Sequence, residues 1–542
     1  MLRQETCNER FLDFAPPEHT LDGKISGLES RFEIHHDNQV ELKLDYAVDE
    51  QTKWTRYQTE AFIFVPRSLG ITPGTYDVRQ FFSDTQAYIR FQTPKMCFSQ
   101  VLDHENTSSP LERLRRVAAQ NAIREESCHQ ELRMLGCLMK ANLRDMVVAA
   151  DKKLNGLSSK ATGQELRIRE LSNSILEFIN EAGKVCEQFR DLRPAFVGIS
   201  NSARSLELFE RTDEFLSLSV ESYLTELLSL LQNSRLRQKR KLRQLTDGLW
   251  TTITKTVERE QIHRRDCGFA TLLDTEDGRT TFTTRASSLK KFITSVLFLK
   301  ISEQKEGTNF LQIVSGIAAA LAMVFSLSTA FLSERYWGLN STPFVLSLVL
   351  GYVFKDRIKD WTKSFFSSHL IRWLPDRSLV ILDPSNGMKV GRCRETFAYL
   401  RESLIPESVL RWRHEGSHTS LDAEYNPEVC LHYVKDVGLR GKRISDAHDR
   451  RRAINDIIRW NVSSFLSRMD DPSRQILYLD GESHELRSAV CPKRYFLHVV
   501  LVLKAAGSLV SVQRYRVQLD RSGIRSLDSI SINDESSWLE KG

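Results

Sequence analysis

The sequence predicts an α+β fold with a long helical region, either a coiled coil or an antiparallel bundle, and a two-helix transmembrane hairpin. Three observations predict it. Strand-like alternation occurs toward both ends of the chain, a strict three-four apolar spacing runs from 168 to 192, and two charge-free runs follow one another at 310–332 and 336–354. The predicted layout is an N-terminal cytosolic α+β domain at 1–107, a helical region at 108–275 and a juxtamembrane segment at 276–309. Transmembrane helices at 310–332 and 342–356 then flank a short external loop at 333–341. A basic juxtamembrane helix at 357–374 and a C-terminal cytosolic α+β domain at 375–535 complete it.

At 542 residues the chain is long enough for more than one domain. Its 76 Lys and Arg against 70 Asp and Glu leave +6, too mild an excess to name an acidic partner. The nine cysteines hold no C-x-x-C pair, so neither a disulfide framework nor a zinc ribbon is indicated and they read as reduced, cytosolic thiols. The opening MLRQETCNERFLDF carries charges where a signal peptide is apolar, which gives no reason to place the first 300 residues outside the cell.

In the N-terminal part, VELKLDYA alternates Val40, Leu42, Leu44 and Tyr46 with polar neighbours, as a half-buried strand does. EAFIFVP reads as a deeper strand, and YDVRQFFSDTQAYIRFQTP as a short helix or a helix plus strand. Farther on, Ile168, Leu171, Ile175, Phe178, Ala182, Val185, Phe189 and Leu192 form an a/d seam. Breaks near Gly156 and Pro194 favour helices folded back on one another, with an intermolecular coiled coil as the competing reading. The basic run RLRQKRKLR places Arg235, Arg237, Lys239, Arg240, Lys241 and Arg243 within reach of anionic lipid headgroups, with a solvated helix face as the plainer reading; HRRD adds Arg264 and Arg265.

Phe310–Leu332 would make a helix of about 34 Å, enough for a hydrocarbon core of about 30 Å. The second run, Tyr336–Phe354, is weaker, its strongly apolar part beginning only at Pro343. Lysines 290, 291, 300 and 305 precede the pair, and Lys355, Arg357, Lys359 and Lys363 follow it, so the positive-inside rule sets both outer flanks and both termini in the cytoplasm. Ser315 with Ala319, Gly316 with Ala320, and Ser347 with Gly351 supply small-xxx-small spacings for helix packing. SLKKFITSVLFLKISEQ, just ahead of the first run, reads equally as an interfacial helix or as a buried connection.

Beyond the spans, SLVILDPSNGMKVGRCRE is a hairpin signal, DRRRAINDIIRWNVSSFLSRM reads as an amphipathic helix, and strands return in RQILYLD, RYFLHVVLVLKA and SLVSVQRYRVQLD. Chemistry is scarce. No phosphate loop, dinucleotide fingerprint, nucleophile elbow or zinc-protease motif occurs; His414 and His418 lie in a loop without a third ligand, and Asp446, His448 and Asp449 fit helix capping better than catalysis. No catalytic, cofactor-binding or metal-binding residue is assigned.

Three sets of residues, FIFVPRSLGI with FFSDTQAYIRFQTP, LGYVFKDRIKDW, and RYRVQLDRSGIRSLD, resemble a family of bacterial two-span membrane proteins without an assigned activity. The resemblance implies a shared two-span architecture in the bacterial inner membrane and contributes no site residue. Within it, Gly523 stands where a positive φ is expected. The expected function is a membrane-anchored scaffold, sensor or interaction platform without a cofactor; the alternative is an oligomeric pore or effector triggered by its cytosolic domains. The expected partners are the lipid bilayer with its anionic headgroups, unidentified proteins and further copies of the chain, with nucleic acid the lesser expectation.

Overall fold

A computed structural model describes residues 28–48, 52–120, 125–156, 164–198, 203–233, 240–272, 275–304, 306–338, 341–370, 375–414, 427–448, 450, 453–481 and 485–530. The chain divides into a helical unit, built mainly from 91–298, and a sheet unit, built from 25–90, 299–444 and 453–542.

The helical unit contains α1 (Pro110–Gln120), α2 (Glu125–Gly156), α3 (Gln164–Arg190), α4 (Ala203–Asn233), α5 (Arg240–Asp266) and α6 (Glu276–Thr294). The three-four seam faces inward: Ile168, Ile175, Val185 and Phe189 are buried, and Phe189 stacks on Phe209 of α4 with centroids 4.3 Å apart. The seam is therefore satisfied within one chain, as a bundle requires. Residues 289–297 belong to the same core, with Leu289, Ile293 and Leu297 buried, which decides for the buried connection over an interfacial helix. Gly136 lets α6 approach α2, since a Cβ there would stand 2.8 Å from Ile293 Cγ2.

The sheet unit has two main layers. An eight-stranded sheet runs β14-β13-β12-β3-β8-β7-β6-β5 and a four-stranded sheet runs β1-β2-β9-β4. The strands are β1 (Leu28–His36), β2 (Gln39–Ala47), β3 (Thr55–Pro66), β4 (Thr85–Phe91), β5 (Lys300–Gln304), β6 (Arg377–Leu382), β7 (Lys389–Leu400), β8 (Glu428–Leu439) and β9 (Ala453–Asn461). After these come β10 (Ser473–Leu479), β11 (Leu486–Pro492), β12 (Tyr495–Ala505), β13 (Ser508–Asp520) and β14 (Gly523–Ile530). Strands from the two ends of the chain share sheets: β3 lies antiparallel between β12 and β8, and β2 pairs with β9. The segments read from sequence as separate N- and C-terminal α+β domains thus build one layered unit. Side chains of both sheets meet in an apolar layer, leaving a cavity of about 50 Å³ among residues that include Val40, Leu42, Ile63, Ile458 and Val499. The other face of β3 and β12 is covered by the short helix Glu407–His414 through Val409 and Trp412.

The hairpin expected at 377–400 is present, with Gly387 at φ +67° in its turn. Gly523 adopts φ +144°, and a Cβ there would lie 2.7 Å from Asp37 O. Within the stretch 449–469 expected as an amphipathic helix, the described residues instead form β9 followed by the short helix Ser463–Leu466.

The two-helix transmembrane hairpin is overturned. Between β5 and β6 the chain makes α7 (Glu306–Trp337) and α8 (Thr342–Leu370), but only one described helix, Gln312–Trp337, is long and apolar enough to cross a membrane. The uncharged part of α8, Thr342–Phe354, is about 20 Å long. Its next turns carry Lys355, Asp356, Arg357, Lys359 and Asp360, which a hydrocarbon core of about 30 Å would enclose. The fold shown is α+β with large antiparallel sheets.

Candidate functional site

The candidate site is the arm formed by α7 and α8. It leaves the sheet after β5 and returns at β6, and these two strands are hydrogen-bonded neighbours from Lys300–Leu382 to Gln304–Ser378. Both ends of the arm are therefore fixed at one sheet edge. The helices pack along a seam in which Val314, Ala318 and Ala322, each four residues apart, and Ser333 are buried on α7, and Gly351 is buried on α8. Small side chains allow this approach. A Cβ on Gly351 would stand 3.3 Å from Thr329 Cγ2, and Ser347 Oγ donates to Ser333 Oγ at 2.6 Å.

The structure selects among the packing residues read from sequence. Ser347 and Gly351 lie in the contact and Ser315 is half-buried beside it, whereas Gly316, Ala319 and Ala320 are exposed. The contact on α7 instead follows Val314, Ala318 and Ala322, one helical step away. An apolar helix offers several small-residue rows at once, so composition alone does not select the row.

The outer surface of the arm is apolar. On α7, Ile313, Ile317, Leu321, Val324, Leu327 and Phe331 are exposed, and on α8 Val345, Leu346, Val349, Val353 and Phe354 are exposed. Large contiguous apolar surfaces on a folded protein mark protein or membrane contacts. Tyr336 and Trp337 stand exposed at the far end of α7, and Trp361 on the charged part of α8. Of the basic residues, Lys355 is half-buried with its ammonium 4.0 Å from the Tyr352 ring centroid, while Arg357, Lys359 and Lys363 are exposed. Arg235, Arg237 and Lys239 lie outside the described residues; Arg240, Lys241 and Arg243 fall at the start of α5, with their side chains outside the description. Arg264 is not part of a basic surface: it is buried and bonded to Glu221 and to Ser217 Oγ.

A second exposed apolar surface is the β10–β11 hairpin, where Leu477, Leu479, Leu486 and Val490 face outward.

Two polar clusters are absent from the sequence reading. Between the sheets, the Lys435 ammonium lies 2.6 Å from Asp456 and 3.5 Å from Glu395, all three buried. Tyr46 donates to Asp456 at 3.1 Å and Tyr433 to Glu395 at 2.8 Å. Burial opposes the lysine charge, but Asp456, Cys393 and Glu395 together hold its amine above the ordinary lysine range. Burial raises the Asp456 carboxyl, against the pull of Lys435. Fully enclosed and mutually satisfied, this network fixes the stacking of the sheets and offers no surface to a substrate.

In the helical unit, Arg190 bridges Asp213 at 2.8 Å and Glu260 at 2.6 Å, and His263 Nε2 donates to the other Asp213 oxygen at 2.8 Å. Burial raises the Asp213 carboxyl, and the bonds from His263 and Arg190 outweigh it, so the group sits below the usual carboxylate range. The residues of this cluster lie far apart in sequence, and no spacing rule could have found them.

Compared with known proteins, this chain matches no protein-family model, no curated protein and no solved structure.

Proposed function

We propose that the protein is attached to a lipid bilayer through its apolar arm and works there as a non-enzymatic interaction platform. The observation that carries this reading is the outward-facing apolar surface of α7 from Ile313 to Phe331. Full transfer of one such side chain out of water is worth about 1.5–3 kcal/mol, so a surface of this extent favours lipid or a protein cover over bulk water. Lipid is preferred because Arg357, Lys359 and Lys363 are exposed beyond the apolar part of α8, where each cation contributes about 1 kcal/mol at an anionic surface. The aromatic rings of Tyr336, Trp337 and Trp361 suit the interfacial region. The exposed β10–β11 hairpin supports a role in protein contacts, since an open apolar hairpin can accept a further strand.

Flotation tests the reading. Full-length protein is transferred from detergent to vesicles of phosphatidylcholine with phosphatidylglycerol and spun through a density gradient. The intact chain floats, and a triple variant Leu321→Glu, Leu327→Glu, Phe331→Glu stays at the bottom, because all three side chains are exposed on the outer apolar surface. Equal flotation of the triple variant would remove the arm from the attachment. Release of a dye trapped in the vesicles would favour an assembled pore over a platform.

A further inference from the structure

We infer that Asp213, His263 and Cys267 form a binding site for a divalent transition metal, zinc by the chemistry of the donors. One carboxylate oxygen, one imidazole nitrogen and one sulfur from these residues lie within 4.8 Å of one another. His263 and Cys267 are four apart at the end of α5, which stacks them on one face. His263 Nε2 is 3.8 Å from Cys267 Sγ and 2.8 Å from Asp213 Oδ2. Gly268, at φ +70°, ends the helix there, with its N–H on Arg265 O and that of Phe269 on Arg264 O, so the backbone of Cys267 is held by the closing turn.

The surroundings fit a metal site. Arg190 Nε donates to Asp213 Oδ1 at 2.8 Å, which orients the carboxylate and leaves Oδ2 toward His263 and Cys267, the type of outer support that ligating carboxylates receive. Charge also balances. With Cys267 as thiolate, the carboxylates Asp213, Glu260 and Asp266 and the sulfur stand against the guanidiniums of Arg190 and Arg193, leaving two negative charges that a divalent cation cancels. Binding releases the thiol proton to solvent and moves the imidazole proton from Nε2 to Nδ1, leaving Nε2 to ligate. Mixed O, N and S donors suit Zn²⁺. Three protein ligands leave a fourth position for water, and Cys267 is exposed, so that position opens to solvent.

The test uses full-length protein stripped with a chelator and titrated with Co²⁺, which gives a thiolate-to-metal absorption band only when sulfur ligates. The intact chain develops the band with saturation near one equivalent, and Zn²⁺ abolishes it by displacement. Cys267→Ser, a one-atom change at an exposed residue, lacks the band and binds Zn²⁺ at least about tenfold more weakly, with unchanged circular dichroism. His263→Gln weakens binding comparably. The same band in Cys267→Ser, or no saturable Co²⁺ uptake by the intact chain, would overturn the site.

Discussion

Replacing Lys435 by methionine removes the cation that Asp456 and Glu395 share between the two sheets of the sheet unit. Methionine nearly matches the lysine stem in volume, so the cavity term is small and the loss is electrostatic. At about 3 Å and an effective dielectric constant of about 20, the gross attraction between Lys435 and Asp456 is about 5–6 kcal/mol. Desolvation of both ions offsets much of it, but removing one partner of a buried pair costs about 3–5 kcal/mol, because the other charge stays behind without compensation. Here two carboxylates stay behind, Asp456 with the Tyr46 hydroxyl beside it and Glu395 with that of Tyr433 and a guanidinium 3.8 Å away on Arg377. The expected loss is therefore about 3–5 kcal/mol near pH 8, read by urea unfolding in detergent with tryptophan fluorescence. The sign of its pH dependence follows. Without the lysine, at least one acid has a folded-state pKa raised further above its unfolded value, so the variant gains relative stability as pH falls and the loss shrinks toward pH 5. Adding Asp456→Asn restores part of the loss by removing one stranded charge. A loss below about 1 kcal/mol, or one independent of pH, would refute the reasoning.

Other perturbations probe separate parts of the fold. Gly136→Ala would ordinarily gain about 1 kcal/mol inside a helix, yet its Cβ meets Ile293 at 2.8 Å and Phe215 at 3.3 Å, so thermal unfolding should show a net loss of about 1–2 kcal/mol. Gly391→Ala meets the backbone oxygen of Gly438 at 2.7 Å, which no rotamer relieves; chemical unfolding should register about 2–3 kcal/mol. Burial, with Arg413, Arg514 and Arg516, depresses the His498 imidazole to about 3. The unfolded chain takes up that proton near pH 6.5 and the folded chain does not, so stability contributed at neutral pH is lost progressively from about pH 6.5 to pH 3. His498→Gln should flatten the acid limb of a stability-pH curve, and an unchanged limb would count against the assignment.

What the sequence reveals depends on how local each cause is. The three-four seam at 168–189 is legible because adjacent turns of one helix carry it, and the 377–400 hairpin because turn chemistry sits between its strands. β9 is misread for a physical reason. Its inward positions are Ile454, Asp456, Ile458 and Trp460, and the buried Asp456 breaks the apolar alternation, while Ile454, Ile457, Ile458 and Phe465 imitate a helical stripe. Lys435 on β8, with the Tyr46 hydroxyl on β2, makes an aspartate acceptable there, and the lysine lies on another sheet. The insertion of β3 between β12 and β8 is likewise beyond local pattern. In the arm, the apolar character of α7 is plain in sequence, but the early charges of α8 weigh more heavily than the flanking basic pattern that suggested a second span. The Asp213–His263–Cys267 cluster joins residues 50 apart, and its i, i+4 half has no zinc-motif spacing to announce it.

The most direct measurement on the central claim is alkaline carbonate extraction of membranes from cells producing the full-length chain. Attachment by a buried apolar arm predicts that the protein stays in the pellet after carbonate and leaves it only with detergent, while the Leu321→Glu, Leu327→Glu, Phe331→Glu variant moves to the supernatant. Complete release of the intact chain by carbonate alone would contradict attachment through the arm.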